Sequence, residues 1–132
     1  MAKIDWRKRL GWGDDELEDI RNTGYAYISQ GKYDVAVPLF GILCVLDPNS
    51  AYDAQTLGAL HLQLGNADEA VRYLDHALKL DADHAPTLLN LCKARFLQGK
   101  REEGLKLAKI LAEEEGPVSD VAEALLLAYS EF

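Results

Sequence analysis

Three histidines, two cysteines and a surplus of carboxylates are the side chains here that could carry chemistry. To serve as a metal ligand, His61, His76 or His84 needs a second His or Cys three or four residues away on the same helix face, and none has one. As general bases they would accompany a nucleophile or a phosphate cradle, but the sequence holds neither a nucleophile elbow nor a glycine-rich loop. Asp81, Asp83 and His84 do cluster, in a turn between two apolar stretches, where solvated turn residues are the simpler reading than metal ligands. Glu113, Glu114 and Glu115 read as a solvated helix end. Cys44 and Cys92 each sit in an apolar helical pattern, and two isolated thiols make neither a disulfide framework nor a zinc site. They are expected to be reduced core residues. The expectation is no catalytic residue, no metal and no cofactor, which leaves a binding surface as the seat of function.

Charge restricts what that surface can bind. With 14 Lys and Arg against 22 Asp and Glu, the formal charge is -8, which repels a phosphate backbone and argues against nucleic acid as a partner. The basic run Lys3, Arg7, Lys8 and Arg9 lies beside Ile4, Trp6, Leu10 and Trp12 and is too short to outweigh the rest. No stretch reaches the roughly 18 apolar residues of a membrane span, and the start lacks the apolar run of a secretory signal. The expectation is no membrane insertion and a protein that stays in the cytosol.

The elements that must present such a surface are helices. Leu (22) and Ala (17) far outnumber Val, Ile and Thr together (14), and β-branched residues lose χ1 freedom in helices where Leu and Ala lose little. Gly31, Gly65 and Gly99 recur at a spacing of 34 residues, within Ser29-Gln30-Gly31-Lys32, Gln63-Leu64-Gly65-Asn66 and Leu97-Gln98-Gly99-Lys100. Windows opening at Leu17, Ala51 and Ala85 carry small residues at their eighth place (Gly24, Gly58, Cys92) and twentieth (Ala36, Ala70, Gly104). Place 24 holds Phe40, Leu74 and Ala108, and place 27 holds Leu43, Ala77 and Leu111. Small residues let two helices approach closely, and the glycine at place 15 supplies the turn between them. His61 falls at place 11 of its window and reads as an interior histidine. The periodicity predicts helices over 15–29, 33–46, 51–64, 67–80, 85–98 and 101–115, the first capped by Asp14. Ser119 is expected to cap a last helix, whose Val121, Ala122, Leu125 and Ala128 cover the third unit. Pro38 should distort the second helix and face outward.

This pattern resembles the tetratricopeptide repeat, a helix-turn-helix unit of 34 residues. The resemblance implies an all-α, right-handed superhelical solenoid. Its repeats would be 17–50, 51–84 and 85–118 of a domain spanning 15–132, with a capping helix at 119–130 and an N-terminal segment at 1–14. The family's proline at position 32 is present as Pro48, with Ala82 and Gly116 in its place later. In such repeats, positions 2, 5, 9, 12 and 13 of the first helix line a concave groove. Here they are Glu18, Arg21, Tyr25, Ile28 and Ser29, then Tyr52, Gln55, Ala59, Leu62 and Gln63, then Pro86, Leu89, Lys93, Phe96 and Leu97. Tyr25, Ile28, Tyr52, Leu62, Leu89, Phe96 and Leu97 are expected to form an exposed apolar strip, which marks a binding site. The Lys and Asn clamp that grips the acidic tails of heat-shock proteins is not expected, since its places hold Arg21, Tyr25 and Thr56. The groove suits an extended peptide with apolar side chains.

A more specific resemblance lies in Gly31-Lys32-Tyr33, Ala36, Phe40, Leu43-Cys44-Val45-Leu46-Asp47 and Leu57-Gly58-Ala59. This run is similar to the repeat chaperones of bacterial type III secretion that hold translocator proteins, and its Leu-Cys-Val-Leu-Asp block is not demanded by helix packing alone. Covering residues 15 to 115, the resemblance implies a non-catalytic cytoplasmic chaperone. It would hold a secreted client in its groove, with Tyr25, Ile28, Ala59 and Leu62 in the lining. A needle-subunit chaperone that seats an amphipathic helix, and a plain repeat scaffold, are the alternatives. Family members dimerise through an N-terminal helix. Ile4, Trp6, Leu10 and Trp12 put a large apolar load on a short segment, which calls for a second copy or the chain's own first repeat as cover.

Overall fold

The computed structural model describes residues 3–130, and among them every regular element is a helix. The order is α1 (Trp6–Leu10), α2 (Asp14–Ser29), α3 (Tyr33–Leu46), α4 (Ala51–Gln63), α5 (Ala67–Leu80), α6 (Ala85–Leu97), α7 (Arg101–Ala112) and α8 (Pro117–Ser130). Helices α2 with α3, α4 with α5, and α6 with α7 pack as hairpins, each hairpin rests on the next, and α8 lies on α7. This is the repeat solenoid expected from the 34-residue spacing.

Identical turns build the hairpins. Gly31, Gly65 and Gly99 have φ of 72°, 80° and 79°, a left-handed conformation that costs glycine nothing. In each turn the glycine N–H reaches back into the helix, to Ile28, Leu62 and Phe96. The next N–H, of Lys32, Asn66 and Lys100, donates to the carbonyl of Tyr27, His61 and Arg95 at 2.8–2.9 Å. Carbonyls orphaned at a helix end are thereby satisfied three times in one way.

Inside the hairpins, helices interlock where side chains are missing. A Cβ on Gly24 would stand 2.5 Å from the Phe40 ring, and one on Gly58 would stand 2.7 Å from Leu74. The third hairpin reverses the interlock. With Cys92 and Ala108 at the corresponding places, the large residue comes from the first helix, and a Cβ on Gly104 of α7 would stand 2.7 Å from Phe96 of α6. Cys92 adds a hydrogen bond from Sγ to the Gly104 carbonyl at 3.2 Å. Phe40, Leu43 and Leu57 centre one core cluster, Leu74 and Leu91 the next, and Phe96, Leu111 and Ala122 the third.

Helix ends depart from expectation in three places. Asp14 is the first residue of α2, not its cap; Gly13 holds that place, and its N–H donates to Glu16 Oε2 at 2.9 Å. Ser119 does not cap α8, which starts at Pro117, where a missing N–H is harmless. The Ser119 hydroxyl instead donates to the Ala112 carbonyl at 3.1 Å. Helix α7 stops at Ala112, short of Glu113 to Glu115, because adjacent carboxylates oppose the negative end of a helix. Pro38 is exposed, as expected, and α3 continues through it.

Two helical glycines make opposite predictions. Gly41 has nothing within 4 Å of a built Cβ, so Gly41→Ala should stabilise the fold by about 0.5–1 kcal/mol, the helix-propensity gain alone. Gly58→Ala has the same gain but must push Leu74 aside, and should destabilise by about 1–3 kcal/mol. Urea unfolding of the two variants checks the signs; equal shifts would remove the interlock as the cause.

Candidate functional site

One face of the α2, α4 and α6 layer is hollowed into connected depressions. The first, of about 330 Å³, is walled by Tyr25, Ile28, Tyr33, Gln55, Thr56, Ala59, Leu60 and Gln63. The second, of about 400 Å³, shares Ala59 and Gln63 and adds Leu62, Asn90, Lys93, Leu97 and Tyr129. A smaller hollow of about 190 Å³ meets the first at Gln55 and is lined by Tyr52, His84 and Thr87 among others.

Helical spacing on α2 and α4 sets this wall. Tyr25 and Ile28 stand one turn apart on α2, as do Tyr52, Gln55, Ala59 and Leu62 along α4. The Tyr25 ring meets Phe40 edge-on with centroids 5.5 Å apart and tilts against Tyr52 at 6.1 Å. Its hydroxyl is buried beside Tyr52 and Thr56 without closing a hydrogen bond among the described residues. Burial pushes the phenol well above the ordinary tyrosine range, so it stays neutral and keeps a proton to donate.

Arg21 was expected in the groove lining and is instead spent on structure. Its Nε donates to Asp53 Oδ1 at 2.9 Å and its Nη2 to Asp53 Oδ2 at 2.7 Å, with Asp47 Oδ2 at 3.1 Å from the same nitrogen. Asp53 is fully buried, and these bonds raise the Arg21 pKa above its usual value. The fork ties α2 to the start of α4, across the boundary between the first two hairpins. Sequence reading missed Asp53 because its partner is 32 residues away; a carboxylate inside an apolar helix face was the available signal.

The third hairpin corrects the expected strip. Leu89 and Phe96 are each only 8% exposed. Leu89 belongs to the α6–α7–α8 core, and Phe96 fills the space left by Gly104 while Tyr129 covers it. Lys93 and Leu97 do reach the groove, whereas Tyr129, Asn90 and Tyr33 join it without having been singled out for it. At the other end, Ile4, Trp6, Leu10 and Trp12 are 37–51% exposed. α1 rests on α3 and is held by an ion pair from Arg7 to Asp14. Beside it, Val35, Ile42 and Val45 leave an apolar face on α3.

The groups considered for chemistry stay apart. His61 is not interior: it is half-buried, stacked on Tyr73 with centroids 5.7 Å apart. His76 meets the Pro48 carbonyl, and His84 the Thr87 hydroxyl. Burial pushes both thiols up to about 11, so Cys44 and Cys92 are protonated at neutral pH. Among the described residues no group of three or more His, Cys, Asp or Glu is placed to hold a metal, and no helix is long and apolar enough to cross a membrane.

Residues 61–128 match the tetratricopeptide repeat family. A mouse protein, Superkiller complex protein 3, is 32% identical over 79 residues, 60% of this chain, and the chain spans 5% of that protein's length. Among solved structures, PcrH in complex with the chaperone binding region of PopD is similar at a TM-score of 0.80 and 24% identity, covering 92% of this chain and 96% of that one. The Yersinia enterocolitica type III secretion chaperone SycD in complex with a peptide of the translocator YopD is similar at 0.78 and 24% identity, covering 89% of this chain and 95% of that one.

The Arg21 fork makes a prediction of its own. Arg21→Met leaves Asp53 buried without its partner and should cost about 3–5 kcal/mol in urea unfolding, while the double change Arg21→Met with Asp53→Leu should recover much of the loss. An undiminished single variant would show that the pair does not hold the hairpins together.

Proposed function

This chain belongs to the tetratricopeptide repeat family, and we propose that it acts as a non-catalytic chaperone that holds an extended apolar segment of a secreted client in its concave groove. The observation that carries this reading is the open, largely apolar wall of Tyr25, Ile28, Tyr52, Ala59 and Leu62, with Gln55, Gln63, Asn90 and Lys93 between for backbone polar groups. Two similar folds hold a segment of another protein, PcrH the chaperone binding region of PopD and the type III secretion chaperone SycD a peptide of the translocator YopD. The client class proposed here is accordingly a type III secretion translocator, met in the bacterial cytoplasm before export. The mechanism is steric: an apolar segment buried in the groove is withdrawn from aggregation and from early assembly.

A groove of this kind binds by exclusion of water and by main-chain hydrogen bonds rather than by charge. The heat-shock-tail reading is disfavoured because Arg21 is already committed to Asp53 and Asp47. A needle subunit remains the second client class, docking as an amphipathic helix along the same wall.

The exposed Ile4, Trp6, Leu10 and Trp12, with Val35, Ile42 and Val45 beside them, support self-association through this end of the molecule. Light scattering should find the full chain as a dimer and a chain starting at Asp14 as a monomer; a monomer in both cases rejects the interface.

The groove is tested at its middle. Ala59 and Leu62 are half-buried and line its depressions, so the double change Ala59→Glu with Leu62→Glu forces a client to desolvate charge, at about 2 kcal/mol or more per unpaired group. Client capture by pull-down should be lost while the helical signal and cooperative melt persist. Undiminished capture by a folded variant would move the site elsewhere.

A further inference from the structure

The third hairpin differs from the first two at a place where all three should look alike. Ile28 and Leu62 face open depressions, but Phe96, one and two repeats on, is covered. Tyr129 of α8 lies flat on the Phe96 ring, with centroids 3.9 Å apart and planes 10° from parallel. Arg101 Nε donates to the Tyr129 carbonyl at 2.7 Å, which anchors the last turn of α8 to the start of α7. On its open side Tyr129 joins Ala59, Leu62, Asn90 and Lys93 in the wall of the second depression. A helix that only capped the solenoid would need to cover α7 and the core beneath it, which Val118, Ala122, Leu125 and Leu126 do. Reaching round to Phe96 goes beyond capping.

We propose that Tyr129 is an internal stop: it takes Phe96's place in the groove from within the chain, so that an extended partner lies along α2 and α4 and ends against the tyrosine, beside Asn90 and Lys93. The proposal rests on reading the groove as a peptide site. A helix with its side chains is about 10–12 Å across, so a track over α2 and α4 that ends at Tyr129 is about 20 Å long, room for about six extended residues at about 3.3 Å each. The stop thus selects client segments by length, and favours one whose last seated side chain is apolar enough to pack on an aromatic edge.

Two measurements on the full chain decide it. In the first, with no peptide present, phenylalanine is replaced by 4-fluorophenylalanine and the Phe96 resonance is assigned with Phe96→Leu. That resonance should be shielded from a dissolved nitroxide in the unchanged chain, and should shift and lose its shielding in Tyr129→Ala. Equal quenching in both proteins overturns the proposal whatever the groove binds. In the second, fluorescein-labelled peptides of alternating leucine and serine, about six and about ten residues long, are titrated into each protein. The unchanged chain should bind both lengths within about twofold, and Tyr129→Ala should bind the longer about tenfold more tightly, the gain from burying one more large aliphatic side chain. An unchanged chain that itself gains tenfold with length has no stop, and the proposal falls. If neither peptide binds, or if Ala59→Glu with Leu62→Glu leaves binding intact, the peptide-site reading falls instead, and the shielding of Phe96 still decides whether Tyr129 takes its place in the groove.

Discussion

The fold depends on how closely the two helices of each hairpin can approach. Helix axes are brought together by removing side chains at Gly24, Gly58 and Gly104 and filling the gaps with Phe40, Leu74 and Phe96. Everything else on the concave face follows from that spacing, because α2, α4 and α6 can present a continuous wall only if each is seated deeply on its partner. The left-handed turns at Gly31, Gly65 and Gly99 serve the same end. A longer connection would let the helices separate and the wall break into unrelated pits.

The way the interlock is filled also decides where the wall is open. In the first two hairpins the filling side chain comes from the second helix, which leaves Ile28 and Leu62 free to face the groove. In the third it comes from α6 itself, so Phe96 is drawn into the core and its remaining surface is taken by Tyr129. Packing and binding thus compete for one side chain, and at Phe96 packing wins. The Arg21 fork is a related case, a charged side chain at a groove position withdrawn to hold two hairpins in register.

Much of this was legible in the sequence, and the exceptions share a cause. Gly31, Gly65 and Gly99 and the small residues at places 8 and 20 are local signals tied to helix geometry, so the helices and hairpins could be read directly. Tyr25, Ile28, Ala59 and Leu62 could be placed on one face through the resemblance to the tetratricopeptide repeat, and the structure puts them in joined depressions. Leu89 and Phe96 could not, since their fate depends on Ala108, Gly104 and a helix outside the repeat pattern. The Asp53 partnership and the bond from Ser119 to Ala112 are likewise tertiary facts. Asp14 carried a true preference for a helix start and missed its role by a single residue, the level at which local propensity gives way to the competing reach of Glu16.

The contacts of this molecule run almost entirely between neighbours along the chain, from α2 with α3 through α7 with α8. Such a topology has low contact order, and chains of that kind fold fast and can begin at one end. Synthesis proceeds from the first hairpin, so α2 to α5 and the Arg21 fork can be complete while the third hairpin is still emerging. The depression between α2 and α4 is then available early, and Tyr129 is the last of the groove's wall residues to arrive.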